Sequence, residues 1–309
     1  MHPMNPQFDS KTMRRRDFLA ASAMAGAALA LNSIARSAES PAKRRPIIGF
    51  SKPFQAMEPT RMADFVSAIG WDGIECPVRE KGQIEPEQAV DKLPAIAEIF
   101  RKHGQDIFIV ATDITSLRQK HTEDVLRAIS KTGIKRLRLG FFKYDPTRSP
   151  QQYLEELRPV IKDIADACHD LDLQAGIENH SGSNLVGAPV WDVYSLIKDI
   201  DPRRFGMCFD IGHATIEGGL SWPIQARLME PFYTAVYVKD FVWKKEGGRW
   251  REDWVPLGSG MVNREFIERL KSSSFDGPIC QHHEYELGNE TEMAEHMRRD
   301  LNVLRSWLA

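Results

Sequence analysis

Cysteine is scarce in this sequence. There are four in 309 residues, Cys76, Cys168, Cys208 and Cys280, and no two stand at C-x-x-C spacing, which excludes a zinc ribbon or a thioredoxin-like redox motif. Three of them fall inside apolar runs, where a small buried thiol is the ordinary use of the residue. Positive charge is not in excess either. Forty-one Lys and Arg face forty-three Asp and Glu, a formal charge of −2, which argues against a nucleic acid as partner. No G-x-G-x-x-G follows the first apolar run, which continues "GFSKPFQAMEP", so the usual dinucleotide cradle is missing. "LGSGMVN" (257–263) comes nearest to a phosphate loop and reads as structural. There is no internal repeat, low-complexity tract or linker, and no segment after residue 38 is apolar enough to span a bilayer.

The first segment is built differently from the rest. Arg14, Arg15 and Arg16 precede a run of small apolar residues from Ala20 to Leu31, and small residues recur near Ala35 and Ala38. A charged start, a short apolar stretch and a small-residue cleavage zone make an export signal. "RRDFL" resembles the twin-arginine signal, an address read by a receptor. The expectation is a cleavable signal peptide over residues 1–38, the twin-arginine export machinery as a partner, and a periplasmic mature chain. Cleavage would remove five basic residues (Lys11, Arg14, Arg15, Arg16, Arg36) and two acidic ones (Asp9, Asp17), moving the formal charge from −2 to −5.

The remaining chain, about 270 residues, suits a single barrel domain. Short apolar runs at 46–51, 73–78, 106–113, 136–142, 174–180, 205–213, 234–241 and 278–285 read as strands. Segments such as "AVDKLPAIAEIFRKHG", "YLEELRPVIKDIADACHDLD" and the last, "EMAEHMRRDLNVLRSWL", carry apolar residues at i, i+3, i+4 and i+7, the helical period. Gly70, Gly104 and Gly133 stand just past helical patterns, where a left-handed cap is wanted. Eight strand–helix units predict an α/β fold, one (β/α)₈ TIM barrel over 46–309, in preference to an open doubly wound sheet. The longest irregular piece, residues 242–263, holds Trp243, Trp250 and Trp254 and reads as a lid or a sugar-stacking wall.

Polar residues collect at the C-terminal ends of these strands: Glu75, Lys143, Glu178, Asn179, His180, Asp210, His213, Lys239, Asp240, His282 and Glu284. In a barrel these ends converge on one mouth. Several carboxylates cannot share a pocket ionised without a compensating charge, so either some are protonated or a cation sits among them. One divalent metal, Mn, Zn, Co or Mg, is the simpler resolution.

The order "GIENH", "CFDIGH", "YVKD", "LGSG" and "DGPICQHHEY" resembles the xylose isomerase-like TIM barrels of the sugar phosphate isomerase/epimerase superfamily. The resemblance spans roughly Pro46 to Ala309. It implies metal ligands at Glu178 on the fifth strand and Asp210 on the sixth. Two further ligand positions depart from the family pattern: Tyr237 stands where a His is usual, and His282 where a Glu is usual. The implied metal set is therefore Glu178, Asp210 and His282, with Glu284 as a fourth ligand or a base. The resemblance also implies catalytic roles for Glu178, Glu284 and His282, and substrate contacts for Glu75, Lys143, His180, His213 and Lys239, with Lys239 and Asp240 as a supporting ion pair. The implied reaction is metal-assisted removal of a proton alpha to the carbonyl of a non-phosphorylated sugar or sugar derivative, giving isomerisation or epimerisation. Two alternatives stay open: elimination from a keto sugar or 3-keto-glycoside on the same site, and a non-catalytic periplasmic sugar binder. The expected partner is a small carbohydrate, not a nucleic acid. Related barrels often pair into dimers or tetramers, so a homo-oligomer is also an expectation of the resemblance.

Overall fold

A computed structural model describes residues 44–309; the segment read as an export signal lies outside them. Eight parallel strands close a barrel: β1 (Ile47–Phe50), β2 (Gly73–Val78), β3 (Asp106–Thr112), β4 (Arg136–Arg138), β5 (Gln174–Glu178), β6 (Phe205–Asp210), β7 (Tyr233–Val238) and β10 (Ile279–Gln281). Each pairs with the next, and β10 returns to β1 through Ile47–Ile279 and Ile48–Cys280. The chain is a single (β/α)₈ TIM barrel, as the alternating pattern predicts.

Strand periodicity of two sorts the side chains. Ile74, Leu137, Ile177, Met207, Val236 and Ile279 face outward and pack with the helices. Ile48, Ile109, Ala111, Cys208, Ala235 and Cys280 face inward and fill the barrel beneath its mouth. All four cysteines are buried and unbridged, the reading that apolar neighbours favour. Gly49 is required by the outward layer, because a Cβ there would lie 2.1 Å from the Trp71 ring.

The quoted helical patterns form as expected, and their ends are capped. Gly70, at φ 98°, closes Pro59–Ile69, whose first turn donates to Glu58; Asn289 and Glu292 make a capping box for Glu290–Leu308. Three further helices, Val190–Ile197, Ile211–Gly218 and Trp222–Met229, are only eight residues each, too short for the periodicity to stand out in the sequence. Among the described residues, no helix is long and apolar enough to cross a membrane.

Two expectations change. The runs at 136–142 and 278–285 pair only over Arg136–Arg138 and Ile279–Gln281, so β4 and β10 are three residues long. The tryptophan-bearing piece is not irregular. It is an antiparallel hairpin of β8 (Asp240–Glu246) and β9 (Arg249–Val255), joined through Gly247 and Gly248 at φ 57° and 81°. A two-residue turn with both φ positive matches the twist of paired strands and favours glycine at both positions. Trp243 and Trp250 are exposed along the hairpin, and Trp254 at its base turns back toward the barrel.

Candidate active site

The inward rows end in charge at the mouth. Parity puts Glu178 above Gly176, Asp210 above Cys208, Lys239 above Tyr237, and His282 and Glu284 above Cys280. The same parity turns His283 outward. It packs against Trp71, 3.5 Å from Asp300, and burial pushes its imidazole down to about 3.

Two clusters form. The first is centred on Arg138, which is not among the polar residues expected at the mouth although the alternation R-L-R-L of 136–139 aims it inward. Its Nε lies 3.1 Å from Glu75 Oε1, and its Nη1 donates to Glu178 Oε2. The guanidinium is enclosed by the rings of Phe50, Phe141 and Tyr237, at 5.4, 5.6 and 5.9 Å. Glu75 also accepts from the Tyr237 hydroxyl at 2.8 Å and from the Cys280 thiol at 3.4 Å, and pairs with His282 Nε2 at 3.1 Å. Burial pushes the Glu75 carboxyl up, but Arg138, His282 and Tyr237 outweigh it and bring it down to about 2.

The second cluster is centred on Lys239. Its ammonium donates to Glu284 Oε1 at 2.6 Å and to His213 Nε2 at 2.6 Å, and lies 3.3 Å from Asp210 Oδ2. With Nε2 accepting, the ring proton of His213 is on Nδ1 and is donated to Ser181 Oγ at 2.8 Å. Burial, then Lys239, hold His213 well below the ordinary imidazole range, so the ring is neutral. Asp210 is fixed by three local bonds: its Oδ1 accepts from the His213 backbone, and the Asn179 amide brackets its own backbone N–H and C=O. The His180 ring lies tilted against that of His213, centroids 3.9 Å apart, and its imidazole is lowered by burial and by Lys239. The Lys239 ammonium lies 4.5 Å from the centre of a Trp254 ring. Glu284 stays one-third exposed; burial raises its carboxyl, and Lys239 overrides this to bring it down to about 2.

Several expected residues take other places. Glu75, read as a substrate contact, is completely buried and occupied by its four neighbours. His282, read as a partner of Glu178 and Asp210, lies between Phe50, on which it stacks, and the tilted ring of Tyr237, and is bonded to Glu75. The imidazole grouped with those two carboxylates is that of His213. Lys143 is exposed beyond β4, its backbone bridging to Leu185. Asp240 does not pair with Lys239. Its carboxylate accepts the backbone N–H groups of Phe241, Gly258, Gly260 and Val262 and so ties down the "LGSG" loop. At Gly260 a Cβ would come within 2.4 Å of that carboxylate.

Two sets of donors lie within 4.8 Å of one another, as a metal ion would need: Glu75, Cys280 and His282, and Glu178, Asp210 and His213. Each set already contains a side-chain cation. Arg138 lies on Glu75 and Glu178, while Lys239 occupies His213 Nε2 and stands against Asp210. Asp210 Oδ2 is the one oxygen of the second set that is buried without a hydrogen bond. A dication beside a guanidinium and an ammonium would meet like charge at close range in a desolvated site. The side chains as seated therefore do not fit a divalent ion.

A family model described as the xylose isomerase-like TIM barrel matches residues 63–307. An uncharacterised protein of Methanocaldococcus jannaschii is 26% identical over 122 residues, 39% of this chain and 40% of that protein, so the match spans less than half of either. A xylose isomerase-like TIM barrel protein of Mycobacterium smegmatis, solved in complex with magnesium, aligns at TM-score 0.63 and 18% identity, covering 87% of this chain and 99% of that one. A D-tagatose 3-epimerase-like protein aligns at 0.66 and 16%, covering 85% and 97%. The 3-keto-D-glucoside 4-epimerase of E. coli aligns at 0.65 and 15%, covering 85% and 100%. At these identities the solved structures share the fold.

Proposed function

The chain belongs to the xylose isomerase-like TIM barrels, and from that premise we propose that it is an enzyme of the sugar isomerase and epimerase type. It removes a proton alpha to the carbonyl of a non-phosphorylated sugar or sugar derivative. The observation that carries this reading is the pairing of two carboxylates at the mouth, Glu178 and Glu284, with two different buried cations, Arg138 and Lys239. Lys239 keeps Glu284 ionised but also weakens it as a base, so proton removal from an activated carbon acid requires the ammonium to shift from Glu284 onto the substrate oxygen. Glu284, the more accessible of the two, takes the proton, and Glu178 serves the opposite side of the substrate. The C–H electron pair moves into the carbonyl, leaving an enediolate oxygen whose charge must be met. Return of the proton on the other face gives the epimer. Loss of a β-hydroxyl or β-alkoxyl group from the same intermediate gives elimination.

The solved structures named as a D-tagatose 3-epimerase-like protein and a 3-keto-D-glucoside 4-epimerase support the substrate class. So does the charge balance: Glu75, Glu178, Asp210 and Glu284 outnumber the two cations they contact, an unfavourable surround for a phosphate. A periplasmic location, expected from the export signal read over residues 1–38, is part of this proposal and would favour the same substrate class. The test is proton wash-out. Ketohexoses and a 3-keto-glucoside are incubated in D₂O with the protein, and the alpha position is followed by NMR. Wild type exchanges the proton, and Glu178→Gln and Glu284→Gln each slow exchange by about 10²–10⁴-fold. Epimer or enone in the same spectra tells epimerisation from elimination. Tight sugar binding with no exchange on any keto sugar would leave a binder and defeat the reading.

A further inference from the structure

We propose that Arg138 and Lys239 together replace the divalent cation of related barrels, so that this site assembles and acts without a metal. The catalytic half of this rests on the function proposed above; the metal half does not. Three independent features of the chain converge on it.

The first is occupancy of the donors. In the Glu178–Asp210–His213 set every member already touches a fixed positive charge, Arg138 for Glu178 and Lys239 for the other two. The lone pair of His213 Nε2, the one a metal would need, accepts from the ammonium at 2.6 Å, and Nδ1 is committed to Ser181. In the other set Glu75 is shared among Arg138, Tyr237, His282 and Cys280.

The second is the pair of departures from the family pattern. Tyr237 and His282, at positions where the resemblance has ligands, do not reach toward Asp210. Their rings lie tilted against one another, centroids 4.3 Å apart, and both bond Glu75, completing the enclosure of the guanidinium. Positions that would hold a metal instead hold the carboxylate that holds Arg138. The third is geometry: the two cations divide the carboxylates between them, Glu75 and Glu178 to Arg138, Asp210 and Glu284 to Lys239. Each carboxylate of the group thus already lies against a fixed cation, although the four carboxylates outnumber the two cations.

A guanidinium is always charged and presents a rigid fork of donors, so it suits the permanent structural half of the task. The ammonium is the half that faces substrate. Lys239 stands among His180, His213, Trp254 and the accessible Glu284. When the electron pair of the broken C–H bond moves onto the carbonyl oxygen, a preorganised ammonium stabilises that oxygen, as positioned donors do elsewhere. Arg138 is a positioning residue, acting through Glu178.

The experiment is metal analysis and thermal melting of the purified mature chain, wild type beside Lys239→Met, each dialysed against EDTA and then supplied with Mn²⁺, Zn²⁺, Co²⁺ or Mg²⁺. The wild type is expected to hold far less than one equivalent and to melt at the same temperature with or without each ion. Lys239→Met, which frees His213 Nε2 and Asp210, is expected to take up about one Mn²⁺ or Zn²⁺ and to melt several degrees higher with it, as a ligand selective for the folded state requires. One equivalent retained by the wild type, or a wild-type melting temperature that rises with metal, overturns the proposal. So does a Lys239→Met chain that folds and still refuses metal, because the ammonium would then not be what excludes it. Neither readout uses substrate. A chain inert toward every keto sugar but free of metal defeats the proposed function and leaves this inference standing; exchange activity abolished by EDTA does the reverse.

Discussion

The two charge clusters at the mouth use the same ingredients to opposite ends. Around Arg138 the arrangement is closed: Glu75, Glu178 and the guanidinium are buried, three aromatic rings wall it in, and Glu75 has further partners in Tyr237, His282 and Cys280. Around Lys239 one side is open, because Glu284 keeps a third of its surface and His180 and Trp254 stand at the rim. A buried ion pair is costly to break, because removing one partner strands the other in low dielectric. A half-open pair can exchange one partner for a substrate oxygen. Apart from Glu178, which the proposed function sets against the substrate, the first cluster therefore reads as the support and the second as the working part, which is also how the always-charged guanidinium and the more adaptable ammonium differ.

The largest test of that contrast is to remove each cation in turn. Arg138→Met leaves Glu178 buried without its cation and Glu75 with only Tyr237, Cys280 and His282, and is expected to lose about 3–5 kcal/mol, a fall in melting temperature of roughly 10 °C for a domain of this size. Adding Glu75→Gln should recover part of the loss in the double variant. Lys239→Met should lose less stability, because Glu284 can turn to solvent, but its exchange rate should fall by about 10²–10³-fold. Equal losses of stability in the two variants would erase the distinction.

Acid provides an intermediate effect. The folded Glu75 carboxyl is lowered from 4.5 to about 2. Its contribution is therefore fully present above the unfolded value and is lost as pH falls through the folded one. Urea titrations between pH 5 and pH 2 should show wild-type stability dropping across that window, more steeply than in the Arg138→Met/Glu75→Gln chain. Parallel slopes would mean that Glu75 is not held as the geometry indicates. The smallest effect concerns the tryptophans. Trp254→Ala should raise KM by removing the ring over Lys239, a contact worth about 0.5–2 kcal/mol. Trp250→Ala, on the exposed hairpin, should change stability by no more than about 0.5 kcal/mol.

Much of this architecture was legible in the residues. The strand and helix periods are strong, and the motif "GIENH…CFDIGH…YVKD" placed Glu178, Asp210 and Lys239 at one mouth. What was not legible has a common cause. Arg138 sits in a strand of three residues, and a basic residue flanked by leucines looks the same whether it meets solvent or a carboxylate. The acceptor role of Asp240 depends on backbone N–H groups up to 22 residues further along, which no local pattern displays. The exchange of His282 for His213 beside Asp210 turned on the start of a helix at Ile211, which carries His213 back over the strand end, bonded through its own backbone to Asp210.

The sequence by itself determined which side chains face the inside of the barrel, because that is a matter of parity along each strand and parity is local. Only the tertiary structure decided which charge meets which. Pairing depends on how the strands stagger as the barrel closes, bringing Glu75 to Tyr237 and His282 across 162 and 207 residues. The need for a cation among the carboxylates was a conclusion of electrostatics from the sequence. That two of the chain's own side chains stand in that place was a matter of closure.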